Sequence, residues 1–246
     1  MSTLLIRLAG PLQSWGLDAK FDRRGTERAP TKSGVIGLVA AALGRRRNEN
    51  MDDLNALRFG VRVDREGVLL RDYHIAKSEK STYVTNRYYL SDAIFLAGLE
   101  GDELLLTSIA DALQSPMFPL FLGRRSCPPE GRVLLGIHQG KSLMQALKDE
   151  PWLSNSWVQE REQKRREQAK DVPLPALRLV LDSGGGETGI YFTRDVPLSF
   201  DQTHRRFGFR RVSDFNTTPP NGIHKENGVA VTETPTDHDP MQELEG

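Results

Sequence analysis

The sequence predicts an α+β protein built on a ferredoxin-like core. Three observations predict it. Hydrophobic patterns follow the order β, α, β, β, α, β over residues 1–140, the order of a split βαβ unit. The stretch from His74 to Tyr88 is polar and poor in aliphatic residues, so it reads as an insertion into that core. After residue 140 the strand patterns are shorter and less regular, and the chain closes on acidic, polar residues. The expected organisation is a core over 1–140, a smaller sheet-containing region over 141–215, and an acidic, disordered tail over 216–246.

Thr3 to Ala9 reads as a buried strand interrupted by Arg7 and ended by Gly10-Pro11. Leu12 to Ala29 has little periodicity and reads as a long loop carrying Arg23, Arg24 and Arg28. Thr31 or Ser33 caps a helix over Gly34 to Leu43, with Gly44 as its C-terminal stop and Arg45-Arg46-Arg47 at the negative end of its dipole. A short helix is expected over Asp52 to Leu57 and a strand over Phe59 to Val63. Asp64 to Gly67 turns the chain, and Val68 to Tyr73 reads as the hairpin partner of that strand. Ala93 to Leu99 is a strand. Glu103 to Leu113 is a helix with Leu104, Leu105, Ile109 and Leu113 facing inward. Pro116 to Pro129 is loop-rich, Val133 to Ile137 is a strand, and Ser142 to Leu147 is a short helix. Gln159 to Lys170, almost all charged or amide, reads as an exposed helix or a disordered loop. Leu177 to Leu181, Ile190 to Thr193 and Phe207 to Val212 complete the strands, with a flexible turn at Ser183-Gly184-Gly185-Gly186.

The formal net charge is zero over 246 residues, so the total implies no polyanion partner. The distribution does suggest one. Up to Arg47 there are nine basic residues against Asp18, Asp22 and Glu27, whereas from Glu226 onward only acidic charges occur. Cys127 is the one cysteine, which excludes an internal disulfide and leaves a thiolate zinc site unsupported. The first apolar segment stops at Gly10-Pro11 with no cleavage pattern, and no stretch is long enough to span a bilayer. A cytoplasmic setting is expected.

The five histidines lack partners at ligand spacing, and Gly184-Gly185-Gly186 has no following Lys-Ser/Thr, so neither a metal nor a nucleotide cofactor is expected. Tyr73, His74 and Lys77, with Arg71 nearby, leave three readings open. They could be the base, acid and cation of a metal-free ribonuclease. They could be an RNA-contacting loop in which rings stack and cations meet phosphates. Or Tyr73 packs in the core and His74 lies on the surface. The adjacent pairs Arg23-Arg24, Arg124-Arg125 and Arg205-Arg206, each near a Gly, Pro or aromatic residue, are candidates to bridge successive phosphates.

Several blocks now resemble one family. Leu4-Leu5-Ile6-Arg7-Leu8-Ala9-Gly10-Pro11-Leu12-Gln13-Ser14-Trp15-Gly16 resembles the opening of the CasD family of type I-E CRISPR Cascade subunits. Pro30-Thr31-Lys32-Ser33-Gly34-Val35-Ile36-Gly37-Leu38, Arg71-Asp72-Tyr73-His74 and Phe121-Leu122-Gly123-Arg124-Arg125-Ser126-Cys127-Pro128 follow in family order. Tyr191-Phe192-Thr193-Arg194-Asp195-Val196-Pro197 is a weaker match. The blocks span about the first 210 residues. The resemblance places the chain in the repeat-associated mysterious protein superfamily, with an RNA-recognition-type core and a thumb hairpin inserted at about 71–91.

The resemblance implies a non-catalytic, RNA-binding subunit acting in antiviral defence. It would hold the 5′ repeat-derived handle of the CRISPR RNA, touch the adjacent backbone subunit, and help anchor the large subunit. Target DNA would be met only through the assembled complex, and no membrane is involved. By the same resemblance the RNA-binding residues would be Lys32 and Ser33 at the first helix, Arg23 and Arg24 before it, Arg71, Tyr73, His74 and Arg87 at the thumb, and Arg124 and Arg125 in the most specific block. Arg205 and Arg206 join them as the third arginine pair. The alternative is a metal-independent endoribonuclease that processes precursor CRISPR RNA, as type I-C relatives do, with Tyr73, His74 and Lys77 as its catalytic residues.

Overall fold

The computed structural model describes residues 1–16, 23–77, 81–168, 175–184, 190–201 and 203–219. The tail expected over 216–246 begins later, because Asn216 and Thr217 still pair in a strand; from residue 220 onward it lies outside the described residues, as does the turn after Gly184.

The chain runs β1 (Ser2–Ala9), β2 (Leu12–Gln13), β3 (Arg23–Arg24), α1 (Lys32–Ala42), α2 (Asp52–Asn55), β4 (Arg58–Arg65), β5 (Val68–Lys77), β6 (Thr82–Ser91), β7 (Ile94–Gly101), α3 (Glu103–Gln114), β8 (Leu134–His138), α4 (Leu143–Asp149), α5 (Ser156–Gln168), β9 (Leu177–Asp182), β10 (Ile190–Ser199) and β11 (Arg206–Thr217). Seven strands form one antiparallel sheet in the order β10-β11-β9-β4-β7-β1-β8. The protein is therefore a mixed α+β fold organised by a large antiparallel sheet, and the strands after residue 140 extend the same sheet as those before it.

The central strands are apolar because both of their faces are covered. Leu4, Ile6, Leu8, Phe59, Val61, Phe95, Ala97 and Leu99 meet α1 and α3 on one face. Leu5, Ile94, Leu96, Leu179 and Leu181 meet Leu143, Ala146 and Leu147 of α4 on the other. Thr31 caps α1 by accepting from the Gly34 N–H. Gly44 follows with φ +77, the left-handed stop that a glycine tolerates. Arg62, fully buried on β4, pairs with Asp64 and donates to the carbonyls of Leu147, Glu150 and Pro151, fastening the end of α4 to the sheet.

Two expectations are corrected. Val68 to Tyr73 does not pair with the strand over Phe59 to Val63. Both edges of β4 are already taken, by β7 and β9, so the chain turns away at Gly67 and β5 pairs with β6 instead. On α3 the inward stripe is Leu106, Ile109, Ala110 and Leu113, one helical face at i, i+3, i+4 and i+7. Leu105 is half-buried and packs against it, but Leu104 falls off that face and is 82% exposed.

The polar stretch read as an insertion is the arm of a long hairpin. β5 and β6 pair over ten residues each and stand apart from the main sheet. At the base of the hairpin, the outer edge of β6 takes β2 in antiparallel register and β3 in parallel register, completing a second, four-stranded sheet.

Candidate nucleic-acid interface

The Gln13-Ser14-Trp15 segment holds the base of the hairpin. Gln13 is buried and donates to the carbonyls of Leu8 and Ala93, while its oxygen accepts from Trp15 Nε1. Ser14 donates through its hydroxyl to the Tyr88 carbonyl and through its N–H to the Leu122 carbonyl. One short segment thus ties together the end of β1, the start of β7, β6 and the loop that carries Arg124. Two glycines make the approach possible. A Cβ on Gly34 would sit 2.7 Å from the Trp15 ring, and one on Gly123, which has φ +82, would sit 1.7 Å from the Ser14 carbonyl oxygen.

Around this base the structure brings together Arg23, Arg24, Arg71, Arg87 and Arg124. Arg23 and Arg24 lie opposite Asn86 and Arg87 across the β3–β6 pairing, and Arg71 lies opposite Tyr88 across β5–β6. Directly opposite residues share a face of a sheet, so Arg23, Arg71 and Tyr88 lie on one side and Arg24, Arg87 and Tyr89 on the other. The Arg23 guanidinium stacks 5.2 Å over the Tyr88 ring and the Arg124 guanidinium 4.6 Å over Tyr89. Arg71 donates to Asn86, and Arg124 donates to the carbonyls of Arg24 and Gly25. Among the described residues none of the five forms an ion pair. Arg87 Nε and Arg124 Nη1 are buried N–H groups that meet no acceptor among the described residues. Leaving such a group unpaired costs about 1–3 kcal/mol, a cost an incoming anionic oxygen removes.

The hairpin exposes apolar side chains along its length, from Val68, Leu69 and Leu70 at its foot to Tyr73, Ile75, Tyr83 and Val84 farther out. Tyr73 and Lys77 share one face with Arg71. His74, opposite Thr85, is on the other face, 3.8 Å from Asp72. The three residues of the ribonuclease reading are therefore split between the two sides of a ribbon, because adjacent strand residues alternate.

Lys32 and Ser33 do not join the arginine group. Both are buried. The Lys32 ammonium donates to the carbonyls of Asn55 and Leu57 and to Asp182 at 3.2 Å, and its backbone N–H donates to Asp195. The first N–H of α1 thus already has a carboxylate of the protein, in place of a phosphate. Arg210 joins Asp195 to Asp182, donating to the first through Nε and Nη2 at 2.6 and 2.9 Å and to the second at 2.6 Å. Burial opposes the Arg210 charge, but the two aspartates more than offset it and hold its pKa above the ordinary value. Asp182, Asp195 and Arg210 are neighbours of Lys32 that the sequence does not single out. The signal available was the block Tyr191 to Pro197, which contains Asp195. Arg125 is exposed in the loop after Arg124. Arg205 and Arg206 are exposed where β11 begins, Arg206 opposite Ser199, and β11 pairs with β9 and β10 rather than with the hairpin strands. Cys127 is buried, and burial raises its thiol pKa.

Among the described residues no group of three or more His, Cys, Asp or Glu side chains is placed to hold a metal ion, and no helix is long and apolar enough to cross a membrane. A large antiparallel sheet with an arginine-rich hairpin at one side defines a class, and the comparisons identify it. Residues 3–213 match the family described as CRISPR-associated protein (Cas_Cas5), and the chain belongs to that family. Its curated relatives include the CRISPR system Cascade subunit CasD of Escherichia coli K12, 35% identical over 171 residues that make up 59% of this chain and 75% of that protein. Two solved structures share the fold. One, described as a crystal structure of a Cas protein, is 42% identical with a TM-score of 0.67, covering 88% of this chain and 95% of that one. The other, a chain of a CRISPR RNA-guided surveillance complex, is 32% identical with a TM-score of 0.73, covering 91% and 95%.

Proposed function

We propose that this chain is a non-catalytic, guide-RNA-binding subunit of a Cascade-type surveillance complex, acting in the cytoplasm in antiviral defence. It grips the 5′ repeat-derived handle at the base of the β5–β6 hairpin. The observation that carries this reading is the group Arg23, Arg24, Arg71, Arg87 and Arg124, set among Tyr88 and Tyr89, with no ion-pair partner and two buried N–H groups without an acceptor among the described residues. Guanidiniums neutralise phosphates, and the rings offer faces to unstacked bases. The Cascade relative and the surveillance-complex neighbour favour the same reading.

The finer architecture follows. The order β4-β7-β1-β8, with α1 after β1 and α3 after β7, supports a ferredoxin-like core over residues 1–140, interrupted by the hairpin as a thumb at about 71–91. Residues 141–217 contribute α4, α5 and three more strands, and from Glu226 onward the only charged side chains in the sequence are acidic. The apolar flanks of the thumb suit the adjacent backbone subunit, and the chain links that subunit to the large one. Arg125, Arg205 and Arg206 add positive charge outside the group at the base.

Binding without turnover is favoured by the placement of His74 on the hairpin face opposite Tyr73 and Lys77. A denaturing gel of end-labelled precursor repeat RNA, incubated with the purified, metal-free chain in excess, tests it. Intact RNA is expected. Specific cleavage that disappears in His74→Ala would establish the endoribonuclease instead.

A further inference from the structure

The edge of the main sheet carries a second surface that the hairpin site does not use. On β10 and β11, Phe192 lies opposite Arg211, and the register places Phe209 on the same face, diagonal to Phe192. Diagonal neighbours on paired strands stand about 7–8 Å apart. Arg194, at an irregularity in β10, lays its guanidinium 5.9 Å from the Phe209 ring and donates to the Phe207 carbonyl. The two rings are 71% and 69% exposed, and both arginines are exposed beside them. This is the face that α4 covers farther along the sheet. The cover ends near Phe215, over which Lys148 lies.

Charge is sorted across these strands. Their described carboxylates are turned to the opposite face or into the core and are paired there: Asp182 and Asp195 with Arg210, and Asp214 with Arg178. The open part of the face carries Phe192, Phe209, Arg194 and Arg211, and none of these strands' described carboxylates. Two rings at unstacked-base spacing, each beside a guanidinium, match what a single strand presents: bases with π faces on a string of phosphates.

We infer that the outer face of β10–β11 is a stacking platform for a short segment of single-stranded RNA. Phe192 and Phe209 take successive bases, and Arg194 and Arg211 take the phosphates between and beside them. This rests on the RNA-binding reading above and deepens it, because it gives the chain a second contact with the strand, separate from the hairpin base.

The test uses the full chain and a fluorescein-labelled U12 RNA, with dU12 DNA alongside, read by anisotropy. Three variants are compared: Phe192→Ala/Phe209→Ala, Phe192→Leu/Phe209→Leu, and Arg23→Ala/Arg24→Ala. The leucine pair keeps bulk and apolarity but removes the rings, and circular dichroism checks each fold. Loss of two stacked bases weakens U12 binding by about tenfold or more in both phenylalanine variants. Crosslinks from 4-thiouridine in U12 are expected within 190–194 and 207–211. Unchanged affinity in the leucine variant overturns the inference, as does absence of U12 binding by the unaltered chain. It is also overturned if dU12 binds equally and its binding is indifferent to the rings. If the leucine variant binds RNA normally while the alanine variant loses a co-assembled protein subunit, the face is a protein docking surface. If only the Arg23/Arg24 variant loses RNA, the platform fails while the hairpin reading stands. If only the phenylalanine variants lose it, the platform stands and the hairpin reading fails.

Discussion

Removing the carboxylate of Asp195 is expected to be among the most damaging single changes in this protein. Asp195 is 1% exposed. It accepts three hydrogen bonds, from the Lys32 N–H at 2.8 Å and from Arg210 at 2.6 and 2.9 Å. In Asp195→Ala the first N–H of α1 loses its acceptor and Arg210 keeps only Asp182. Breaking a buried ion pair from one side costs about 3–5 kcal/mol. For a domain of about this size each kcal/mol lowers the melting temperature by about 2–4 °C, so the expected fall is about 6–20 °C. Asp195→Asn keeps an acceptor for the Lys32 N–H and gives up the charge, so it should fall between the variant and the unaltered chain. Thermal unfolding followed by circular dichroism, with urea unfolding as a second probe, measures both. A melting temperature for Asp195→Ala within about 2 °C of the unaltered chain would refute the reasoning. It would mean that α1 and β10–β11 are not joined through this carboxylate.

Glycine substitutions separate contact from conformation. Gly123→Ala places a Cβ 1.7 Å from the Ser14 carbonyl at φ +82, whereas Gly140→Ala, at φ +70, meets nothing within 4 Å. Chemical denaturation is expected to show a loss of about 1–2 kcal/mol for Gly140→Ala, the conformational cost alone, and at least about 3 kcal/mol for Gly123→Ala. The Cys127 thiol, buried and with its pKa raised by burial, should resist a thiol-reactive dye in the native chain at about pH 8 and react fully in denaturant. Rapid labelling of the folded protein would contradict that placement.

Much of the fold was legible because its strands and helices announce themselves locally. Thr31 is a cap, Gly44 is a stop, and the Leu106-to-Leu113 stripe follows helical spacing once its phase is set by the sheet. A run of three leucines, Leu104 to Leu106, does not reveal which one faces in, so the sequence points Leu104 inward and the structure turns it out. The partner of β5 is not legible locally, because pairing depends on which strand edges remain free, and β9, which closes the second edge of β4, is more than a hundred residues away. In the candidate site, the arginine pairs were visible as local pairs, but their meeting was not. Arg24 and Arg124 touch across 99 intervening positions, through a loop held by Gly123 and Ser14. Lys32 looked like a phosphate ligand because it opens a helix. The carboxylates that occupy it, Asp182 and Asp195, come from strands far along the chain, and only the tertiary packing of β9 and β10 against α1 brings them there. Tyr73, His74 and Lys77 looked like a cluster because they are close in sequence, but a strand sends neighbours to opposite faces.

The central claim is that guide RNA is held at the base of the hairpin. The most direct test is to assemble the chain with its partner subunits on a guide RNA carrying 4-thiouridine in the repeat-derived handle, then map crosslinks by mass spectrometry. The account predicts crosslinks from the handle to the segments holding Arg23, Arg24, Arg87, Tyr88, Tyr89 and Arg124, lost or sharply reduced when Arg24 and Arg124 are changed to alanine. Handle crosslinks confined to other subunits, in a complex that contains this chain, would contradict it.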